Sequence, residues 1–586
     1  MILQALNEYY ERKKALGEIA ADGFVEKRID FLIELDADGK YLGITDLREA
    51  RGKNLVGKAY HVPAIGKQAQ KHTNSGTDAN LLWDNSGFVL GAGDSSNKKF
   101  NSFLAAIQSH YPVRPPDVVA VLAFLEKGQP FDVLLQHEAH GEVLSTGAPV
   151  ISFRVDGSHD PVFCADHVKN VLDGPPAEGA QVGICLVTGK SDIIDPTHPV
   201  IKGIPGGQTS GCSLVGFNAR SFCSYGKKQS FNAPIGKNAS SSYTKALQSL
   251  VHSDSNKVVM SDITMLSWAQ RAEEPEVEEF ESGFVFTFAD SPKDDPDRGV
   301  SQIKALLESV KTGKYAKPMG DFYVLGVSPN SARLSVRYWD TGSILLFAER
   351  IAQHFEDFSI VHGPNERDYL SISTILRATV FEYKLSNVPP NLAGEVIRSV
   401  VSGREYPTTL LMQTVRRIRA EQKVTRARAS ILKACINREL RMGSRSMKEV
   451  KKIEMGLDKE NTNAAYRLGR LFAVLERVQE DALGPNINAN ICDRFYGAAS
   501  STPSTVFSRL LKLKIHHMAK LDPPKRVVRE KLIGEIMNGI SDFPARLTLN
   551  EQGLFAIGYY HQRQDFFTPK KERDASAANA PSDKED

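Results

Sequence analysis

The sequence predicts an α+β protein: a mixed α/β N-terminal region with long loops, followed by a C-terminal α-helical bundle. Three observations carry this reading. Short apolar runs bounded by turn residues fill the first two thirds of the chain. Beyond about residue 400 the apolar residues recur at helical spacing instead. The charge divides at the same place. Residues 401–586 hold 33 Lys+Arg and 22 Asp+Glu, net +11, while residues 1–400 hold 40 and 48, net −8.

Taken in order, residues 1–12 (MILQALNEYYER) read as an amphipathic first helix. They carry acidic residues early and no small-residue cleavage site, unlike a signal peptide. Residues 29–35 (IDFLIEL) read as a strand, Asp38-Gly39 as a turn, and residues 41–44 as the return strand of a hairpin. Residues 88–90 and 182–187 are further strand candidates. Residues 201–242 are dense in Gly, Ser, Asn and Gln, which points to functional loops rather than a connector. The acidic stretch 273–281 (EEPEVEEFE) reads as a solvated linker, and 284–288 (FVFTF) as a strand. A helix is expected over 300–310. A strand pair follows over 322–327 and 333–339, joined at Ser328-Pro329-Asn330, with a helix over 343–355 to cover it.

In the C-terminal region Leu468, Leu471, Phe472, Leu475 and Val478 form one apolar stripe. Phe507, Leu510, Leu511, Ile515 and Met518 repeat the pattern, as do Leu532, Ile533, Ile536 and Ile540. Pro523-Pro524 separates the last two helices of a bundle of four or five. The expected division is 1–270, a second α/β region at 283–400, a basic helical connector at 401–454, a bundle at 455–568, and a disordered polar tail at 569–586.

Composition excludes some classes. The chain is 41% hydrophobic and 24% charged, as soluble globular proteins are. No run of about 18 apolar residues is present to span a membrane. The six cysteines are scattered without Cys-x-x-Cys spacing, which argues for reduced thiols in a cytoplasm and against structural zinc.

The enzyme motifs come close and fail. Gly183–Ser191 (GICLVTGKS) has five residues between its glycines where a phosphate loop has four, so a strand and turn is expected. His137 and His140 lack the i, i+4 spacing of a helical zinc site. His159-Asp160 lacks further ligands. His516-His517 sits inside a basic helix and fits phosphate contact or plain exposure better than a metal. No cofactor is called for. A metal-dependent nuclease using His159-Asp160 or His137/His140 stays open as the weakest alternative.

The positive signals point to a polyanion. Residues 412–452 contain 13 Lys+Arg and 3 Asp+Glu. Arg416, Arg417, Arg419, Lys423, Arg426 and Arg428 form a broad stripe if helical, and arginine's planar fork suits phosphate. The plainer alternative is an Arg-rich helix that pairs with acidic neighbours in a partner protein. A second run holds Arg509, Lys512, Lys514, Lys520, Lys525, Arg526, Arg529 and Lys531. Two polar loops differ in character. One spans Lys71, Thr73, Asn74 and Ser75. The other spans Gln208, Thr209 and Ser210 between glycines that permit close backbone approach, with Asn218, Tyr225, Lys227, Lys228, Asn232 and Lys237 downstream.

Five stretches together resemble a known family: MILQALNEYYER at the start, HTNSGTDANLLWDNSGFVLG (72–91), GGQTSGCSLVGFNARSFCSYGKKQSFNAPIG (206–236), FYVLGVSPNSARLSVRYW (322–339) and GYYHQRQDFF (558–567). They are similar to the large subunit of the type I-C CRISPR surveillance complex (Cascade), in order and along nearly the whole chain. The resemblance implies a non-catalytic subunit that sits where the complex holds the crRNA 5′ handle, among its backbone subunits. It implies recognition of the protospacer-adjacent motif (PAM) in target double-stranded DNA, help in separating the strands, and a hold on the displaced non-target strand. It also implies recruitment of a helicase–nuclease in antiviral defence. Sequence would be read by guide pairing and only the short motif by protein.

On that footing Lys71, Thr73, Asn74, Ser75, Gln208, Thr209, Ser210, Lys227 and Lys228 are assigned to the PAM duplex. Arg416, Arg417, Arg419, Lys423, Arg426, Arg428, Lys512 and Lys514 are assigned to the displaced strand. The family also implies a small helical subunit made from an internal start, here at Met455, with Met447 as the alternative. A generic single-stranded nucleic-acid scaffold is the second reading, and it explains the charge split but not these motifs.

Overall fold

The computed structural model describes residues 2–51, 54–64, 76–91, 96–127, 149–172, 180–217, 219–271, 274–288, 298–443, 450–484 and 489–567. The chain divides into two compact units, one of residues 1–199 with 215–249, the other of 200–214 with 250–586.

The first unit opens on α1 (Ile2–Ala15), whose Ala5, Leu6, Tyr9 and Tyr10 make a buried stripe. The expected strand at 29–35 is two strands. β1 (Phe24–Ile29) ends where β2 (Phe31–Leu35) begins. Asp30 makes the break, because its backbone N–H and its carboxylate both bond to Val150, at 2.8 Å each. The hairpin from β2 to β3 (Tyr41–Asp46) is as expected, with the Asp36 carboxylate accepting from the amides of Asp38 and Lys40 and Gly39 at φ +73°.

The short strands β4 (Glu49–Arg51) and β5 (Asn54–Val56) pair with each other, and β6 (Lys58–Pro63) pairs with β1. The main sheet has the order β3-β2-β8-β7, with β7 (Trp83–Asn85) antiparallel and β2 parallel to β8 (Val150–Val155). Residues 88–90 are not a strand. Asn85 accepts from the Gly87 amide and starts a buried helical turn, α2 (Ser86–Val89), so the apolar run enters the core as helix. The core is completed by α3 (Ser96–His110), α4 (Pro116–Glu126) and α5 (Asp166–Leu172). The expected strand at 182–187 stops at Ile184: β9 (Val182–Ile184) turns through Cys185–Lys190 into β10 (Ser191–Ile193). Helix α6 (Lys237–His252) follows.

The second unit is built on an antiparallel meander of β11 (Lys257–Met260), β12 (Ile263–Ala269), β13 (Asp321–Asn330) and β14 (Arg333–Ser343). The strand pair expected at 322–339 is its centre. The acidic linker and strand expected at 273–288 are instead one helix, α7 (Pro275–Phe288). Val277, Phe280, Phe284 and Phe288 fall on one helical face and pack into the core, while the exposed glutamates cover the other. Five residues of apparent alternation mimicked a strand inside that face. The expected helices at 300–310 and 343–355 are α8 (Arg298–Lys311) and α9 (Ile344–Phe358).

Nine further helices follow among the described residues: α10 (Ile372–Ala378), α11 (Pro390–Ser402), α12 (Thr408–Glu421), α13 (Arg426–Arg441), α14 (Ala464–Leu483), α15 (Ile491–Ala499), α16 (Phe507–Met518), α17 (Pro523–Met537) and α18 (Leu549–Asp565). Pro523-Pro524 opens α17, where the missing amide is unneeded. Helices α14 and α18 approach so closely that a Cβ on Gly469 would strike the Phe555 carbonyl, and one on Gly558 the Tyr466 carbonyl. One apolar cluster runs from Val258 to Tyr559, so the lines drawn at 283, 401 and 455 all fall inside a single unit.

Candidate nucleic-acid interface

The Arg-rich run does not form one stripe. Helix α12 ends at Glu421, Gln422 turns the chain through the left-handed region at φ +47°, and α13 starts afresh at Arg426. The arginines then part company. Arg426 is buried and donates to the carbonyls of Arg367 (2.6 Å) and Asp368 (3.0 Å). Arg428 is fully buried, bonds the Ala378 and Lys423 carbonyls at 3.0 Å each, and pairs with Glu421, which also takes Arg417. Arg438 is buried against Asp357 at 2.8 Å, with its guanidinium 4.2 Å from the Tyr406 ring centre, and Arg441 shares the same carboxylate. Lys433 is buried and donates to the Asp357 carbonyl at 3.2 Å.

A guanidinium can fill a polar gap between helices because its five donors lie in one plane and reach several acceptors at once. Arg426 and Arg428 are therefore internal ties, which corrects their assignment to the displaced strand. Arg417 is half-buried in its pair. Of the candidates on this run, Arg416, Arg419 and Lys423 are exposed and have no carboxylate partner among the described residues.

The second basic run behaves differently. Lys514 is paired with Glu530 at 3.1 Å, Arg529 with Asp481 at 2.9 Å, and Lys525 with Asp522 at 3.6 Å. Lys514 is thus taken up, whereas Lys512 is exposed and unpaired among the described residues. It belongs to a row that the candidate set contains only in part. Arg509, Lys512, His516 and Lys520 recur at i, i+3, i+7 and i+11, so they share one face of α16 and its C-terminal turn. All four are exposed, and the row is roughly 16 Å long at 1.5 Å per residue. His516, which the sequence places in a basic helix as a phosphate contact or an exposed residue, joins this row because the interval of three or four that marks an apolar stripe marks a charged one equally. His517 turns inward, and burial, with help from Lys520 and His516, lowers its pKa.

Helix α15 touches both runs. Arg419 lines a small cavity with Tyr496 and Ser500, and the Arg509 guanidinium lies 5.4 Å from the Phe495 ring centre. Arg494, on the same helix, is exposed. The exposed cations of α12, α15 and α16 therefore belong to one neighbourhood of the second unit. Exposed cations without carboxylate partners are what phosphate binding without sequence reading requires.

The polar loops lie in different units. Residues 200–214 fold back on themselves through a two-way backbone bridge between Ile201 and Cys212 (2.8 Å each way), and Ser213 pairs with Arg333 beside the β13–β14 turn. Gln208, Thr209 and Ser210 form the exposed tip, closed by the Gly211 amide on the Gln208 carbonyl at 2.9 Å. Lys227 and Lys228 are exposed in the first unit on a turn closed by Asn232. Lys71, Thr73, Asn74 and Ser75 lie outside the described residues, as do Asn218, His137, His140, Met447 and the tail at 569–586. What is described of the 72–91 motif is scaffold. Buried Asp84 accepts from the amides of Asn80 (2.9 Å) and Asn85 (2.8 Å) and from the Asn80 side chain, and burial pushes its carboxyl up to about 6.

His159 and Asp160 are fully and largely exposed and 4.0 Å apart, with no third metal-ligating side chain beside them among the described residues. Among the described residues no group of three or more His, Cys, Asp and Glu is placed to hold a metal, and no helix is long and apolar enough to cross a membrane. Met455 is exposed, and its carbonyl accepts the Val361 amide at 2.8 Å.

No curated protein matches the chain. The family model for CRISPR-associated protein (Cas_Csd1) matches residues 6–567, which takes in both units and every feature described above. The chain therefore belongs to the Cas_Csd1 family of CRISPR-associated proteins, the large subunit of the type I-C complex.

Proposed function

We propose that this chain acts without catalysis of its own in an RNA-guided type I-C effector complex, working in the cytoplasm. It recognises the PAM in double-stranded DNA, helps open the duplex, holds the displaced strand and recruits the helicase–nuclease. The family match over residues 6–567 carries this reading. The solvent-facing row Arg509–Lys512–His516–Lys520, with Arg416, Arg419 and Lys423, supports the strand-holding part, because phosphate neutralisation needs cations that no carboxylate already occupies. The Gln208–Ser210 tip supports the PAM part: its amide and hydroxyl groups are exposed while its base is fixed by backbone bonds.

The partners on this reading are crRNA, the crRNA-handle and backbone subunits, the target duplex and a small helical subunit. A start at Met455 would supply that subunit from this chain. Helices α14 and α18, in close contact at Gly469 and Gly558, would form the centre of such a product.

Co-purification of the chain with crRNA, followed by binding of target duplexes with intact and scrambled PAM, tests the whole reading. PAM-dependent binding that Gln208→Ala reduces by tenfold or more is the expected result. Binding indifferent to the PAM, or absence of crRNA from the complex, overturns it. A C-terminal tag tests the internal start, with a second, shorter band expected and a single band excluding it.

A further inference from the structure

Residues 220–232 of the first unit hold a turn that its own sequence disfavours. The Lys227 amide bonds the Ser224 carbonyl at 2.9 Å, with Tyr225 at φ +51° and Gly226 at φ +71° between them. Two successive positive φ values make a type I′ turn, whose first central position ordinarily takes Asn, Asp or Gly. An aromatic residue there crowds its Cβ against the backbone.

The conformation persists because Asn232 ties both sides of the turn together. Its Oδ1 accepts the Ser224 amide at 2.8 Å, and its Nδ2 donates to the carbonyls of Lys227 (3.2 Å) and Gln229 (2.8 Å). Ser230, 1% exposed, seats the end of the loop by donating its amide to the Pro196 carbonyl. The result of this bracing is a tyrosine that is 98% exposed. A strained backbone that holds a large apolar ring in water, with nothing among the described residues covering it, lowers stability unless the ring meets something else. Its surroundings say what: Arg220, Lys227 and Lys228 are all exposed within five residues of it. Cations spaced around an exposed aromatic ring are the elements of a single-strand site, where the ring takes a base face and the cations take phosphate.

We infer that Tyr225 is a preset platform on which one unpaired nucleobase stacks, with Arg220, Lys227 and Lys228 on the adjoining phosphates and Asn232 as the positioning residue. This rests on the nucleic-acid reading above and names a contact within it that the sequence reading left among general loop residues. Stacking is indifferent to base identity, so the platform serves a base already out of its pair rather than recognition of the motif.

The test uses the full chain in low salt and two fluorescein-labelled strands of ~12 nucleotides, an oligothymidylate and an abasic strand of equal length. Tyr225→Asn suits the positive φ better than tyrosine, so the thermal midpoint should stay or rise. Its affinity for oligothymidylate should fall roughly 5- to 100-fold, with little change for the abasic strand. Tyr225→Phe, which keeps the ring, should bind as the parent does. Equal losses on both strands, or no loss on either, overturn the inference. The Lys227→Glu/Lys228→Glu variant separates this from the reading beneath it. It should weaken both strands; if it weakens neither, nucleic acid does not bind at this loop and the inference falls while the reading beneath it stands, whereas a parent chain that binds neither strand overturns that reading.

Discussion

The two basic stretches of the C-terminal half look alike in composition and have opposite fates. In residues 412–452 the arginines of the second helix turn inward: Arg426, Arg428 and Arg438 are buried, and Arg428 and Arg438 are among the largest fully buried side chains of the protein, each with carbonyl and carboxylate partners, while Arg416 and Arg419 on the first helix stay exposed. In α16 the cations point outward along one face, and Lys514, one step off that row, is the one consumed by a glutamate. Charge density measures how many cations a stretch has. Only the phase of each residue on its helix decides whether that cation closes the fold or faces a partner.

The comparison breaks most forcefully at Asp357. It is 3% exposed and serves Arg438 and Arg441 together, so Asp357→Ala strands a buried guanidinium. The expected loss is ~3–5 kcal/mol in urea unfolding followed by circular dichroism. Arg419→Ala, on the exposed side of α12, should stay within about 0.5 kcal/mol of the parent. Equal effects would erase the distinction between inward and outward arginines.

A smaller effect is expected at the α14–α18 contact. Gly558→Ala places a methyl against the Tyr466 carbonyl and should cost about 1–3 kcal/mol. The same substitution should destabilise a fragment beginning at Met455 if that fragment folds as the bundle does. An unchanged thermal midpoint in both would show that the close approach is not maintained.

The interior also sets a pH dependence. Burial holds His354 and His561 down to about 3, with Arg438 and Lys433 respectively adding to the effect, so both are neutral in the fold. Unfolded, each takes up its proton near pH 6.5. The unfolded state therefore binds more protons between these values. Stability conferred by the neutral rings is full above about 6.5 and lost as pH falls towards 3, by up to about 1.4 kcal/mol per pH unit for each ring. His561→Gln should flatten that acid limb by about one ring's share, and an unaltered slope would contradict the assignment.

Much of the fold was legible because its signals were periodic and long. The β2–β3 hairpin, the strands at 322–339 and the stripes of α14 and α16 all combine a repeat with a turn or cap. Errors came where the repeat was too short to fix its period, as at residues 284–288, or where one side chain redirected the backbone, as Asp30 and Asn85 do. The candidate site was legible as chemistry and not as geometry. Arginine in a helix has the same letter whether Glu421 or solvent faces it, and Glu421 lies on the neighbouring helix, outside the local pattern. The strain at Tyr225 was equally invisible, since it is a property of φ rather than of composition.

The most direct measurement is the salt dependence of single-strand affinity for the full chain and for Arg509→Gln/Lys512→Gln/Lys520→Gln. These residues touch no carboxylate among those described, so the fold should be unchanged. If the α16 row carries the sequence-blind grip, the slope of log affinity against log salt should become shallower by about 2, near 0.7 for each phosphate that is no longer neutralised. A slope equal to the parent's would place the grip elsewhere and contradict the division of labour between the two basic stretches.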